Sequence, residues 1–303
     1  MIAEARSTRT TLTLGLAFVL TIAVALFELG GGLMTQSLAL LSDAAHVFMD
    51  AFALGIAVVA NVEANRRPAT ARQTFGFARL EVLAALANGG LLFAITVLIV
   101  VEAVHRLAVP QLPAGGLMAF FAAVGFITNL AIGWALLRAA GDNLNVKAAL
   151  FHVASDALGS FAVVVGGLFI LVGRITWLDP LLSLFISVII VIGIVRVVRE
   201  AADVLLESAP AHAAVPAVRA RIRALDGVVD VHDLHVWTLG PGSYALSAHV
   251  LLPDSRISEA SALLRRIDER MRGEFGITHV TLQFECETCS DDERIVCTQV
   301  SSR

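Results

Sequence analysis

The sequence predicts an α-helical membrane protein with six transmembrane helices, followed by a cytoplasmic α+β domain. Three observations carry this prediction. Six apolar stretches each approach the roughly 20 residues that cross a bilayer core. The composition turns polar after residue 202. Lys and Arg gather on alternate connections, which is how short loops orient a membrane protein.

The six spans are 12–29, 38–60, 82–101, 115–137, 148–172 and 180–198. Between them stand breakers such as Arg66-Arg67-Pro68, Pro110 and Pro113. No proline interrupts an apolar run, and Pro180 opens one, as befits helices that must satisfy their own backbone in lipid. Arg6 and Arg9 precede the first run, which reaches Leu29 without a small-residue cleavage site. It therefore reads as a spanning helix rather than a signal peptide. The N-terminus and the second and fourth connections hold Arg6, Arg9, Arg66, Arg67, Arg72, Arg79, Arg138 and Lys147; the opposite connections hold Arg106 and Arg174. Both termini are expected in the cytoplasm, and the short loops and tail point to a bacterial inner membrane.

After the spans, apolar positions recur at helical spacing over 215–225, and 228–239 reads as a strand. Pro241-Gly242-Ser243 is a turn, 244–252 a second strand, 259–275 a charged amphipathic helix and 279–285 a third strand. This α-β-β-α-β order predicts helices on one face of a small sheet. The expected domains are therefore 1–202 in the membrane, 203–287 as the cytoplasmic domain, and 288–303 as a polar, mobile tail.

Composition excludes other classes. The chain is 57% hydrophobic and 16% charged, against about 25% charged for a soluble domain. A single soluble domain and a disordered chain are both ruled out. The mildly acidic net charge of −4 argues against a nucleic-acid partner, whose binders carry a basic face. Three cysteines, all after residue 285, cannot build a disulfide framework. Cys286 and Cys289 form one C-x-x-C, half of a zinc site at most, and are expected as thiols in a reducing cytosol.

Ionisable side chains inside a span cost about 2.5–3.5 kcal/mol each on insertion scales, so each asks for a reason. The second span carries His46 and Asp50 in HVFMD; the fifth carries His152 and Asp156 in HVASD. Residues four apart share a helix face, so each span presents an imidazole and a carboxylate together. One such pair would serve as hydrogen-bonded glue between helices. Two copies supply two nitrogens and two carboxylates, a full tetrahedral set for a zinc-like ion. Asp43, one turn before His46, fits a ligand, an acceptor for the imidazole N–H, or a helix-start residue; a supporting role is favoured. Glu28 fits an ion guide or an interfacial carboxylate, and Asn88 and Asn129 fit interhelical hydrogen bonds.

These residues resemble the cation diffusion facilitators, proton-coupled exporters of divalent transition metals. The resemblance rests on SLALLSDAAHVFMD (37–50), TFGFARLE (74–81), NLNVKAALFHVASDALGS (143–160) and HDLHVW (232–237), in order along most of the chain. It implies six spanning helices, a ferredoxin-like (metallochaperone-like) cytoplasmic domain and a homodimer. It also implies that His46, Asp50, His152 and Asp156 are the transport site, in a combination that goes with zinc and often cadmium. For the cytoplasmic domain it implies a regulatory metal site drawn from His232, His249, His279 and Glu285, with Cys286 and Cys289 as weaker candidates. The alternative is that His232 and His235 only pack and hydrogen-bond within the sheet. Residues 61–80 contain no histidine, so no metal site is expected there. A charge interlock is implied between Arg79 and Glu207.

Metal binds neutral imidazole and ionised carboxylate, so loading zinc releases protons. The expected function is Zn²⁺/H⁺ antiport, outward from the cytoplasm by alternating access, with zinc as substrate and possible regulatory ligand and protons as counter-ion. Two alternatives fit some of the same residues: a membrane metal sensor without flux, and an intramembrane zinc hydrolase. The hydrolase reading lacks an H-E-x-x-H pattern, and four protein ligands leave little room for a reactive water.

Overall fold

The computed structural model describes residues 2–66, 70–139, 144–240 and 242–286, with side chains outside 2–17, 53–54, 57–66, 139, 144–149 and 151–152. The tail expected at 288–303 lies outside the described residues. Six long helices come first: α1 (Ile2–Thr35), α2 (Leu38–Arg66), α3 (Leu80–Ala108), α4 (Gly115–Ala139), α5 (Leu144–Gly173) and α6 (Leu178–Leu205). All six run past the apolar stretches at one end or both, because an intrahelical hydrogen bond needs no apolar side chain. Even α4, at 25 residues, is about 37 Å long, more than a bilayer core.

Among the described residues, five of the six, all but α2, contain a segment long and apolar enough to cross a membrane. The described part of α2 carries Ser42, Asp43, His46 and Asp50. Polar and apolar side chains are distributed as lipid demands. Glu28, Asp43, Thr96, Asn129, Asp156, Ser160, Ser183 and Ser187 are buried between helices, while Leu98, Leu158 and Val172 point outward at 70%, 69% and 85% exposure. In lipid, where an exposed polar group finds no water, burying these side chains favours this arrangement.

The chain divides into two compact units, Met1–Val58 with Ala84–Val198, and Val59–Leu83 with Arg199–Arg303. In the first, small residues bring backbones together. A Cβ added at Gly167 of α5 would lie 2.8 Å from both the Ala119 nitrogen and the Gly115 oxygen of α4. Gly167→Leu is therefore expected to cost about 1–3 kcal/mol, checked as a lower melting temperature in detergent. The same substitution at Gly193, where nothing lies within 4 Å, should change melting little.

The second unit contains a 3₁₀ turn (Ala211–Ala213), α7 (Val215–Arg223), β1 (Asp230–Gly240), β2 (Ser243–Leu252), α8 (Ile257–Phe275) and β3 (Ile277–Cys286). The α-β-β-α-β order is as expected. β1 and β2 pair antiparallel, β2 and β3 parallel, in the order β1-β2-β3. Strand alternation puts Leu246, Ala248, Val250 and Leu252 into a core with Val218 and Ile222 of α7 and Leu263, Ile267, Met271 and Phe275 of α8. Residues of opposite parity, including Ser247 and His249, therefore occupy the sheet face away from these helices. Gly276 ends α8 at φ 66°, where its N–H reaches the Arg272 carbonyl at 3.2 Å; only glycine adopts this at no steric cost. At the start of β1, the Val231 N–H and then Arg223 and Arg219 hold the Asp230 carboxyl below the usual range. A depressed carboxyl contributes stability at neutral pH that is lost as pH falls below about 4.

Candidate metal centres

In the first unit, α2 presents His46 and Asp50 one turn apart, and α5 brings Asp156 to them. His46 Nε2 lies 3.5 Å from Asp50 Oδ2 and 3.9 Å from Asp156 Oδ1. One ligand atom from each of the three falls within 4.8 Å of the other two. Asp156 is buried, whereas His46 and Asp50 are half-buried. The α5 carboxylate thus lies deeper than the two α2 side chains. His152 stands one turn before Asp156 on α5; its side chain lies outside the described residues.

Asp43 points to α5. Ser160 Oγ donates to Asp43 Oδ2 at 2.9 Å, and a Cβ at Gly159 would lie 3.1 Å from Asp43 Oδ1. This buried carboxylate ties α2 to α5 next to the His46, Asp50 and Asp156 cluster. Glu28 of α1 is fully buried. Its Oε1 rests against α4 where Gly125 has no side chain, and among the described residues neither oxygen has a hydrogen-bond partner. Asn88 and Asn129 are buried as well.

In the second unit, His232 of β1 is paired with His249 of β2, and Glu285 of β3 lies one strand further on. His249 Nδ1 is 2.8 Å from Glu285 Oε1, and His232 Nε2 is 3.2 Å from Glu285 Oε2. The imidazoles are 5.3 Å apart at 74°. These three residues form a second cluster able to hold a metal, on the sheet face that α7 and α8 leave open.

His279 is not part of that cluster. Its ring sits edge-on to Phe75 at 5.3 Å, because the register places it opposite Ala245, four residues along β2 from His249. Cys286 is half-buried at the end of β3; Cys289 lies outside the described residues. Asp233, which the sequence reading did not select, does approach. Its Oδ2 is 3.8 Å from His249 Nε2 and its Oδ1 3.0 Å from His235 Nε2. Simple alternation would put Asp233 on the face opposite His232. A bulge between His232 and His235, with Asp233 at φ 47°, turns it back. The adjacent H-D in HDLHVW was the available signal.

Arg79 and Glu207 form an exposed ion pair, Nη2 to Oε1 at 2.9 Å. Exposed pairs contribute at most about 1 kcal/mol, so its loss should change stability little. Arg79→Glu and Glu207→Arg are each expected to slow metal flux without shifting the melting temperature, and the double reversal to restore it. An unrestored double variant would remove the pair from the transport cycle.

Comparison with known proteins places both units in a family. Residues 14–206 match the model of the cation efflux transmembrane domain, and 210–287 that of the cation efflux protein cytoplasmic domain. The chain is 34% identical over 286 residues to the cadmium, cobalt and zinc/H⁺-K⁺ antiporter of Bacillus subtilis, covering 93% of this chain and 91% of the relative. It is 37% identical over 278 residues to the metal cation efflux protein CzcD of Cupriavidus metallidurans (91% and 87% covered). The zinc transporter ZitB of Escherichia coli is 37% identical over 276 residues (90% and 87%). Among solved structures, the metal-bound C-terminal domain of a CzcD transporter is 36% identical, covering 24% of this chain and 97% of that domain at a TM-score of 0.22. With family models spanning both units and relatives aligned over nine-tenths of its length, the chain belongs to the cation efflux (cation diffusion facilitator) family: it is a multi-pass membrane transporter that exports divalent metal cations, not an enzyme.

Proposed function

We propose that the protein is a Zn²⁺/H⁺ antiporter, accepting cadmium as well, that carries metal out of the cytoplasm through a His₂Asp₂ intramembrane site. The observation that carries this reading is the convergence of His46, Asp50 and Asp156 within 4.8 Å. His152 shares the α5 face of Asp156 by helical periodicity and completes a tetrahedral set that suits zinc. Names of relatives that include cadmium, cobalt, zinc and proton exchange agree with it. Loading the site from a neutral cytoplasm displaces protons; protons arriving from the other side compete for the same imidazoles and carboxylates and release the ion. Alternating access supplies the switch.

In this reading residues 1–202 form the membrane domain with six spans, α2 included, and 203–287 a ferredoxin-like cytoplasmic domain. Both termini face the cytoplasm of a bacterial inner membrane, and the protein works as a homodimer. His232, His249 and Glu285, with Asp233 close by, bind a regulatory zinc ion. Their open sheet face gives that ion access.

The test is zinc entry into proteoliposomes loaded with a metal-sensitive dye, under imposed pH gradients, with cadmium, cobalt and manganese as competitors. Flux that follows the proton gradient is expected, with cadmium competing and manganese failing to compete. Zinc bound without flux would establish the sensor alternative instead.

A further inference from the structure

The corner between α1 and α2 is bonded to three other helices. The Ala114 N–H, at the start of α4, donates to the Thr35 carbonyl at 3.2 Å. Arg106, near the end of α3, donates to the Gln36 carbonyl and is held by Glu102 at 2.8 Å. Asp179, the second residue of α6, receives the Ser37 hydroxyl at 2.6 Å, the Leu38 N–H at 2.8 Å and the Ala39 N–H at 3.1 Å. Ser37 completes the cap, its Oγ accepting from Leu40 at 3.1 Å and its carbonyl from Leu41 at 3.2 Å. All four N–H groups that open α2 are thus satisfied, two of them by a carboxylate 140 or more residues away in sequence. Asp179 is buried and sits at two helix N-termini, whose partial positive charges stabilise it.

We infer that this corner is the fixed pivot of the transport cycle, with Asp179 the positioning residue that holds the start of α2 against α6 while the rest of α2 tilts. The inference rests on the alternating-access reading proposed above. Opening the corner would strip a buried carboxylate of three donors and orphan two backbone N–H groups among Leu40, Ile186 and other core residues. Tilting about the corner breaks none of these bonds. Along the axis His46 is about 12 Å and Asp50 about 18 Å from Leu38, whereas the far end of α2 is about 42 Å away. A tilt therefore moves the ligands little and the opposite end much. Asp43, bonded to Ser160 at 2.9 Å, keeps the ligand-bearing turn beside α5 in the same motion.

The corner is testable because Ser42 of α2 and Ser183 of α6 stand one turn inside it, both fully buried, with hydroxyl oxygens 3.4 Å apart. The double variant Ser42→Cys/Ser183→Cys in the full chain can be oxidised to link α2 to α6, with the link mapped by mass spectrometry. Oxidised and reduced samples, beside identically treated wild type, would then be assayed for proton-driven zinc flux. A pivot predicts that linked protein transports within about twofold of its reduced form. Loss of flux on linking, restored by reduction, would show that the corner opens in every cycle and overturn the inference, as would failure of the cysteines to link. Asp179→Asn supplies the second arm. Its amide keeps the size but presents an NH₂ to the cap's donors, so flux should fall about tenfold while zinc affinity at equilibrium stays within about twofold. Affinity and flux falling together, or neither falling, would contradict a positioning role. Absence of flux in untreated wild type would instead sink the transport reading itself.

Discussion

Asp156→Ala is expected to abolish zinc flux while leaving the protein folded. The carboxylate is buried and stands 3.9 Å from His46 Nε2, behind the two ligands of α2. Removing it takes from the site its described α5 ligand and one of the negative charges that compensate a divalent ion. Loss of even an outer-shell partner costs a metal site about 10–100-fold in affinity, so losing a ligand should cost at least about 100-fold. The fold should survive, because the neighbouring helix contact is made by Asp43, Ser160 and Gly159, which the substitution does not touch. Unchanged helicity with a near-wild-type melting temperature, beside absent flux, is the expected pair of results. Export at the wild-type rate would dismiss the quartet.

The second large effect is expected in the cytoplasmic domain. Glu285 touches both imidazoles, at 2.8 and 3.2 Å, so Glu285→Ala removes the group that holds the cluster together. The measurement uses full-length protein already carrying Asp156→Ala, so that zinc titrates the cytoplasmic site alone. Adding Glu285→Ala should weaken that binding by about 100-fold or more. At a zinc concentration 100 times the dissociation constant, bound metal stabilises a site by about 2.7 kcal/mol; after a 100-fold loss, only about 0.4 kcal/mol remains. The zinc-induced rise in melting temperature should nearly vanish. In the parent the rise should also shrink as the pH is lowered, because protons compete with zinc for each imidazole. A zinc response that survives the substitution would leave Glu285 as a sheet residue only.

Much of this was legible in the chain itself. The starts of α2 at Leu38 and of α4 at Gly115 coincide with the first residues of apolar runs, since the same desolvation that selects apolar residues selects helix. The H-x-x-x-D pair of α2 was legible as one face because four residues make about one helical turn. The order of elements after residue 203 followed from the switch between 3.6- and 2-residue periodicity. Helix ends were less legible: α1 and α6 continue through polar residues that a hydropathy reading discards.

The contacts between elements were another matter. Asp43 was open to three roles, and the packing of α2 on α5 gave it Ser160 as donor. His279 belonged by resemblance with His249, but parallel pairing of β2 and β3 sets it opposite Ala245, beside Phe75. Asp233 was hidden by alternation until a bulge turned it toward His249. Nothing in the sequence reading marks Asp179, and only the fold makes it the cap of a different helix. The residues' own chemistry and periodicity determined which segments are long apolar helices and where an imidazole and a carboxylate share a helix face. Partnership between residues 100 or more positions apart depends on helix contacts and strand register, set by the collective packing of the whole chain and not by local spacing. For that reason the two H-x-x-x-D pairs could be read along two helices, while the separation of His279 from His232, His249 and Glu285, and the α1–α2 corner, became visible only in three dimensions.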